Sequence, residues 1–185
     1  MSRWLLWIMG GVLLGGIVHF VTVLALPRTA TQDAFARLAA IAPANTVAVL
    51  SQPTPQAAVL PFMDPAFAAA VCRFDLSSGP LKLSIAVSQA YTAVSFYTLR
   101  GVAFYAINDR AAGRRIIELD LMTSEQRAAL PEDEEVTAAD RLIVESPTET
   151  GLILFRALAP EPSMMPAAQG TVTAGRCTTQ PQQQS

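Results

Sequence analysis

The chain has 185 residues, of which 51% are hydrophobic, and a formal net charge of −2 at pH 7. No basic patch is evident, so the sequence predicts no nucleic-acid partner. The single histidine, His19, lies in an apolar N-terminal stretch. Ser-His-Asp catalysis, Cys-His catalysis and a histidine-ligated metal site are therefore excluded from the rest of the chain, and no metal or cofactor is predicted.

Residues 4–26 form an almost unbroken apolar run, WLLWIMGGVLLGGIVHFVTVLAL, without an acidic or basic side chain. As a helix rising about 1.5 Å per residue, this run is long enough to cross a hydrocarbon core of about 30 Å. We therefore predict a retained transmembrane anchor over residues 1–28, with Pro27 ending the helix. A cleaved signal peptide is the alternative, because residues 23–25 form a weak cleavage site.

One face of this helix carries small and polar residues at helical spacing, namely Gly11, Gly15, His19 and Thr22. A Gly-x-x-x-Gly pair lets a second helix approach closely, and the imidazole and hydroxyl groups can hydrogen-bond across such a contact. This pattern predicts association of the helix with itself or with another helix. The alternative is an ordinary membrane helix, in which glycine is common.

The two cysteines, Cys72 and Cys177, are far apart and belong to no C-x-x-C motif. An even pair in a domain exported across a membrane predicts a disulfide. In a cytosolic domain the same residues would be buried free thiols. Basic residues flank both ends of the helix, with Arg3 before it and Arg28 and Arg37 after it, so charge alone leaves the orientation open.

After the anchor the pattern predicts short elements separated by turn signals. The predicted helices are 29–42, 66–71 and 123–130, and the predicted strands are 46–50, 81–87, 91–98, 102–107, 117–121, 141–145 and 152–158. Strand 81–87 alternates apolar and polar residues cleanly, Asp64-Pro65 is a helix-start signal, and residues 123–126 form a capping box.

Two hairpins are predicted, one joining 91–98 to 102–107 through a turn at Gly101 and one joining 141–145 to 152–158. No β-α-β unit is evident. The predicted fold is therefore mainly β: an N-terminal transmembrane helix followed by an antiparallel β-sandwich with two or three short helices. The predicted boundaries are 1–28 for the anchor, 29–177 for the sandwich and 178–185 for a disordered Gln-rich tail.

The candidate binding residues begin with Asn108, Asp109 and Arg110. A planar guanidinium beside a carboxylate suits an acidic or sugar-like ligand. The structural alternative is a turn in which Asn and Asp cap nearby backbone N–H groups. In that case Arg110 would pair with Asp109 or with Asp75.

Tyr97 and Tyr105 are candidates to flank the same ligand, although tyrosines on neighbouring strands are also typical of cross-strand pairs. Glu118 and Asp120 share one strand face and form a candidate carboxylate pair, for which a solvated outer face is the simpler interpretation. Lys82 is expected on the solvent-exposed face of its strand. It is therefore not a candidate nucleophile, because a nucleophilic lysine needs a desolvated amine.

Residues 72–76, 95–97, 104–110 and 121–126 together resemble the bacterial family named domain of unknown function 1254, and most closely its small alphaproteobacterial members, which pair one membrane helix with a single domain. The resemblance implies a β-sandwich and no settled activity. Larger relatives carry a second domain, of the unknown-function 1214 family, which implies a separate companion protein here. Thr92 and Thr98 depart from the family pattern, which often has Trp and Asp at these positions.

We therefore expect a membrane-anchored cell-envelope domain of unknown activity, a binding or assembly module that acts with the companion protein or with itself. The alternative is an envelope hydrolase or carbohydrate-modifying enzyme that uses carboxylates and tyrosine. The expected location is the bacterial inner membrane, crossed once, with the soluble domain in the periplasm.

Overall fold

The structure is a computed structural model that describes residues 3–29, 33–113, 115–130 and 142–179. It divides into two compact units, Met1–Asp33 and Ala34–Ser185. In the first unit, helix α1 (Arg3–Thr29) contains a stretch, Arg3–Leu26, that is long and apolar enough to cross a membrane. The expectation that Pro27 ends the helix is wrong by two residues. Its missing N–H removes one backbone hydrogen bond, and one such loss does not stop a helix at once.

The second unit contains two β-sheets. The first has five antiparallel strands in the spatial order β1 (Val47–Val49), β2 (Phe67–Asp75), β8 (Thr150–Leu158), β4 (Thr92–Thr98) and β5 (Ala103–Asn108). The second has four strands in the order β7 (Leu142–Ser146), β6 (Ile116–Thr123), β3 (Leu81–Ala86) and β9 (Arg176–Thr179). The described part of the unit also contains short helices: α2 (Ala34–Ala39), α3 (Asp109–Ala112), α4 (Ser124–Ala128) and α5 (Met165–Thr173), the last preceded by a 3₁₀ turn (Pro162–Met164).

The inner faces of the two sheets share one hydrophobic core. Phe74, Phe96 and Phe155 come from the five-stranded sheet, and Leu83 and Leu119 come from the four-stranded sheet. All five side chains are almost fully buried. Each contributes roughly 1.5–3 kcal/mol of transfer free energy. The predicted fold class is confirmed, because the described part of the unit is mainly β and consists of two packed sheets.

The predicted helix over residues 66–71 is wrong. Asp64 does accept a hydrogen bond from the backbone N–H of Ala66 at 2.9 Å, as a cap would. The chain then enters β2, which pairs with β1 on one side and with β8 on the other. Two ladders of backbone hydrogen bonds override the local helix signal, since helix propensity is a weak prior.

The predicted hairpin between 141–145 and 152–158 is also wrong. β7 pairs with β6 in parallel, whereas β8 lies in the other sheet between β2 and β4. Parallel strands need a crossover connection, and α4 follows β6 directly, so β6, α4 and β7 form a β-α-β unit that the sequence pattern did not reveal.

Helix α5 and strand β9 were not predicted either. The predicted tail over 178–185 lies mostly outside the described residues, although its first two residues belong to β9.

Other local predictions are confirmed. β3 and β6 pair with Leu83 opposite Leu119, and β4 and β5 form a hairpin whose turn contains Gly101 at φ 77°. The capping box forms at α4, where Thr123 and Gln126 exchange backbone-to-side-chain hydrogen bonds of 3.0 and 3.2 Å. The predicted helix over residues 29–42 is shorter in the structure, where α2 spans only Ala34–Ala39 of the described residues.

Candidate binding surface

Asn108 ends β5 and begins α3. Its backbone is extended, at φ −127° and ψ 173°, and its side-chain Oδ1 accepts a hydrogen bond from the N–H of Ala111 at 2.9 Å. Gly113 ends the helix in the left-handed conformation. This arrangement is the structural alternative considered for the Asn-Asp-Arg segment, so the oxygen of Asn108 is already used for capping.

Asp109 and Arg110 do not form the expected ion pair. Arg110 is exposed, and no ion pair joins it to Asp109 or Asp75 among the residues that the structure describes. Asp75 instead accepts hydrogen bonds of 2.6 and 3.0 Å from the hydroxyl and N–H of Ser77. These two bonds, with a smaller attraction from Arg73, hold the pKa of Asp75 below its ordinary value. The Oδ1 atom of Asp109 is buried without a described partner.

Tyr97 and Tyr105 lie on opposite faces of the five-stranded sheet. Tyr105 is opposite Phe96 across the β4–β5 ladder, and their rings are 5.8 Å apart beside the central core. Tyr97 follows Phe96 along β4, is opposite Leu152 of β8, and packs instead against the second hydrophobic cluster on the outer face. Successive strand residues point to opposite faces, so the two hydroxyl groups cannot flank one ligand.

Glu118 and Asp120 share the outer face of the four-stranded sheet, as predicted. Glu118 is exposed, but Asp120 is only 8% exposed, so the expectation of a solvated pair is wrong for Asp120. Lys82 lies directly opposite Asp120 in the β3–β6 ladder, where opposite charges stabilise the pairing. No group of three potential metal-ligating side chains occurs within the described residues.

The cysteines connect the two sheets. Cys72 lies in β2 and Cys177 in β9, both are buried, and their Cα atoms are 6.5 Å apart. The structure therefore places the predicted pair at disulfide distance across the core.

The small-residue face of α1 remains a prediction. A Cβ atom added at Gly11 or Gly15 would meet nothing within 4 Å, so the helix backbone is open to close approach there. The hydroxyl of Thr22 donates to the carbonyl oxygen of Val18 at 2.8 Å, which satisfies it within its own helix. His19 is exposed.

Two arginines that the sequence analysis passed over lie on the outer face of the five-stranded sheet. Arg73 belongs to β2 and Arg156 to β8, and the Nε atom of each is buried without a hydrogen-bond partner in the described part of the chain. In the ladders Arg156 is opposite Ala69 and Ala93, and Ala93 is opposite Asn108. The available signal was an arginine inside an otherwise apolar strand.

Comparisons with known proteins agree with this fold. The chain is similar to the VPA0106 protein from Vibrio parahaemolyticus, at 12% identity and a TM-score of 0.59 over 82% of this chain and 38% of that one. It is also similar to an uncharacterised protein from Burkholderia cenocepacia, at 12% identity and a TM-score of 0.50 over 82% of this chain and 41% of that one. The chain thus spans about two fifths of the length of these two structures.

At this identity the two likenesses show the fold alone. A comparison with curated proteins found no match. The model of a family described as protein of unknown function (DUF1254) matches residues 44–179, which is well over half of the chain. The chain therefore belongs to the DUF1254 family.

Proposed function

We propose that this protein is a membrane-anchored binding or assembly module of the bacterial cell envelope, which acts with a partner protein. One observation carries the proposal: every side chain of α1 from Trp4 to Leu24 is exposed, including Leu13 at 68% and Phe20 at 69%. Water-soluble proteins rarely expose apolar surface of this extent, and a bilayer would cover all of it.

A periplasmic location is supported by the cysteine pair. Cys72 and Cys177 lie at disulfide distance, and disulfides persist in oxidising compartments such as the periplasm. The same export would follow from a cleaved signal peptide, so the experiments must separate an anchor from a signal.

The proposed partner comes from the family resemblance, because the domain is joined to an unknown-function 1214 domain in larger relatives. We propose that this protein acts with a separate protein that carries such a domain. Self-association through Gly11 and Gly15 of α1 is a second mode of assembly.

The enzyme alternative receives no support from the described residues. Tyr97 and Tyr105 face opposite sides of a sheet, and Arg110 forms no ion pair with any carboxylate in the described ranges. Glu118 and Asp120 lie on a face where Lys82 is opposite Asp120. These placements favour binding over catalysis by carboxylate and tyrosine.

Alkaline carbonate extraction tests the anchor. The full-length chain should stay in the membrane pellet and retain its N-terminal residues by mass spectrometry. Leu14→Arg, near the middle of α1, should release part of the protein, because a central arginine costs about 2.5–3.5 kcal/mol on insertion scales. Trp4→Arg, at the helix end, is the matched control and should remain in the pellet. A soluble mature chain beginning near Leu26 would contradict the proposal.

C-terminal fusions test the orientation. When fused after Ser185, alkaline phosphatase should be active and green fluorescent protein should not fluoresce. The phosphatase reports a periplasmic C-terminus by its activity, and the fluorescent protein reports a cytoplasmic one by its fluorescence. The opposite pattern would place the domain in the cytoplasm and contradict the proposal.

Native mass spectrometry of the protein purified from its own membranes in mild detergent tests the partner. A second protein at a fixed ratio, or a dimer that Gly11→Leu with Gly15→Leu abolishes, is expected. A monomer in several mild detergents would contradict an assembly role.

A further inference from the structure

We propose that Arg156 is the anion-binding residue of a ligand site on the outer face of the five-stranded sheet, which takes a small molecule carrying a carboxylate or phosphate group. This site goes beyond the proposed function, because it requires neither the membrane nor a partner protein.

The strand register surrounds Arg156 with small neighbours. It lies between Ala69 of β2 and Ala93 of β4, and residues directly opposite in a ladder share one face. Both alanines are themselves buried, and neither methyl group can accept a hydrogen bond from the guanidinium. Asn108 continues the same row on β5, and Ser95, one step along that face of β4, is only 5% exposed. An amide and a hydroxyl group thus share this face with the guanidinium.

An aromatic wall supports the guanidinium. Its central carbon lies 5.8 Å from the centre of the Phe67 ring. Phe67 in turn meets Tyr91 edge to face, with the ring centres 6.4 Å apart. Stacking on a ring holds an arginine in one orientation while its in-plane N–H donors stay free to bind a ligand. The same wall suits an apolar or ring-shaped part of that ligand.

The guanidinium lacks the partner that a half-buried charge requires. Its Nε atom is buried without an acceptor among the described residues. By contrast, Arg127 of α4 forms an ion pair with Glu145 of β7. Buried donors in native proteins nearly always have acceptors, so an absent one suggests a group that the described part of the chain does not provide. A carboxylate or phosphate fits the planar fork of a guanidinium by two parallel hydrogen bonds.

Arg73 is the natural comparison on the same face. It also stacks on a ring, that of Phe35 at 5.9 Å, and its Nε atom is also buried without an acceptor. Its charge, however, is felt by the nearby carboxylate of Asp75, whose pKa it helps to lower. Among the described residues no ion pair joins Arg156 to a carboxylate, so we assign the anion site to Arg156 rather than to Arg73.

The test uses the full chain in a neutral detergent. Sodium phosphate and sodium acetate are titrated separately, with sodium chloride at equal ionic strength as the reference, and the Nε–Hε NMR signal of Arg156 is followed. At least one oxyanion should give a saturable shift that chloride does not give. Arg156→Gln should weaken the apparent affinity at least tenfold, whereas Arg73→Gln should change it less than twofold.

Three results would overturn the proposal: no saturable response of the unaltered protein beyond that of chloride, unchanged affinity in Arg156→Gln, or an equal loss in Arg73→Gln. A response to phosphate alone, or to acetate alone, identifies the oxyanion class of the ligand.

If Arg156→Gln does not fold by circular dichroism, Arg156→Lys replaces it. The lysine keeps the charge but loses the planar fork, so at least threefold weaker binding is expected and equal binding would overturn the site. The titration is independent of membrane extraction, so failure of the anchor would leave its outcome unaffected.

Discussion

The outer faces of the two sheets differ sharply. In the five-stranded sheet, Val71, Leu152 and Leu154 form an apolar surface, and this surface packs with Leu38 of α2 and Leu50 in a second hydrophobic cluster. In the four-stranded sheet the corresponding residues are polar. Glu118, Arg176 and Thr178 are exposed, Lys82 is half-buried, and Asp120, opposite Lys82, is buried. One sheet is therefore packed on both faces, and the other has one packed face and one mainly polar face that is largely solvated.

The difference shows that the pattern of apolar and polar residues along each strand depends on whether protein or solvent lies over each face of its sheet. Strands of the five-stranded sheet, which α2 and residues 51–66 cover, are mainly apolar on both faces, and their charged exceptions are Arg73, Asp75 and Arg156. Along the strands of the other sheet, apolar and polar residues alternate, as expected for a sheet with one solvent-exposed face. Substitutions should therefore have unequal effects on the two sheets, and four predictions test this, in order of expected size.

The largest effect is expected for the cross-link between the sheets. Replacing Cys72 and Cys177 together by alanine should lower the free energy of unfolding by about 4–5 kcal/mol, because the disulfide would restrict a long loop of the unfolded chain. Urea unfolding of the full chain in detergent measures the change. Non-reducing peptide mass spectrometry should find the two cysteines linked, and two free thiols in freshly isolated protein would contradict the prediction.

The doubly packed sheet should tolerate no added atom at Gly151. A Cβ atom there would overlap the carbonyl oxygen of Tyr97 and the ring of Phe74. Gly151→Ala should therefore destabilise the protein by about 3 kcal/mol, at the upper end for an overpacked core. Gly170→Ala, in α5 and with nothing within 4 Å, is the matched control and should be neutral or stabilising by up to about 1 kcal/mol. Equal thermal shifts for the two variants would refute this.

Truncating single side chains to alanine compares the covered outer face of the five-stranded sheet directly with the solvated outer face of the four-stranded sheet. Leu38→Ala should cost about 2–3 kcal/mol, because Leu38 is 2% exposed in the second cluster. Glu118→Ala, on the solvated face, should stay within about 0.5 kcal/mol of the unaltered protein. A similar loss in both variants, measured by urea unfolding, would mean that the two faces are equally packed.

The smallest effect concerns Asp75 and pH. Its pKa is lower in the folded protein than its ordinary value of 3.8, chiefly because of the hydrogen bonds from Ser77. The ionised carboxylate therefore stabilises the fold above the unfolded pKa, and this contribution is lost as pH falls below about 3.8 through the folded pKa. Asp75→Asn should lower the melting temperature slightly at pH 7 and leave it closer to that of the unaltered protein at pH 3. A constant difference between the two pH values would contradict the assignment.

The sequence predicted best where local chemistry decides the structure. The alternation of β3 and β6, the turn at Gly101 and the capping box of Thr123 and Gln126 are all present. Each of these signals depends on residues within a few positions of one another, or on a face that meets water.

The sequence-based predictions failed where pairing with strands that are distant in the sequence determines the structure. β2 followed a valid helix-start signal at Asp64 and became a strand because β1 and β8 pair with it. Tyr97 and Tyr105 were grouped by type, whereas the register separates them onto opposite faces. The local signal at Arg156, a charge inside an apolar strand, does not reveal a site, because the neighbours of Arg156 on its face of the sheet come from three other strands.

The order of the two cysteines along the chain has a consequence for biogenesis. Cys177 follows Cys72 by 105 positions, and every strand of the five-stranded sheet is made before β9. In the exported domain that we propose, the thiol of Cys72 remains free and reactive until β9, which contains Cys177, has been translocated. Chains cut short before β9 would keep that thiol, so a maleimide label would mark unfinished molecules and spare complete ones.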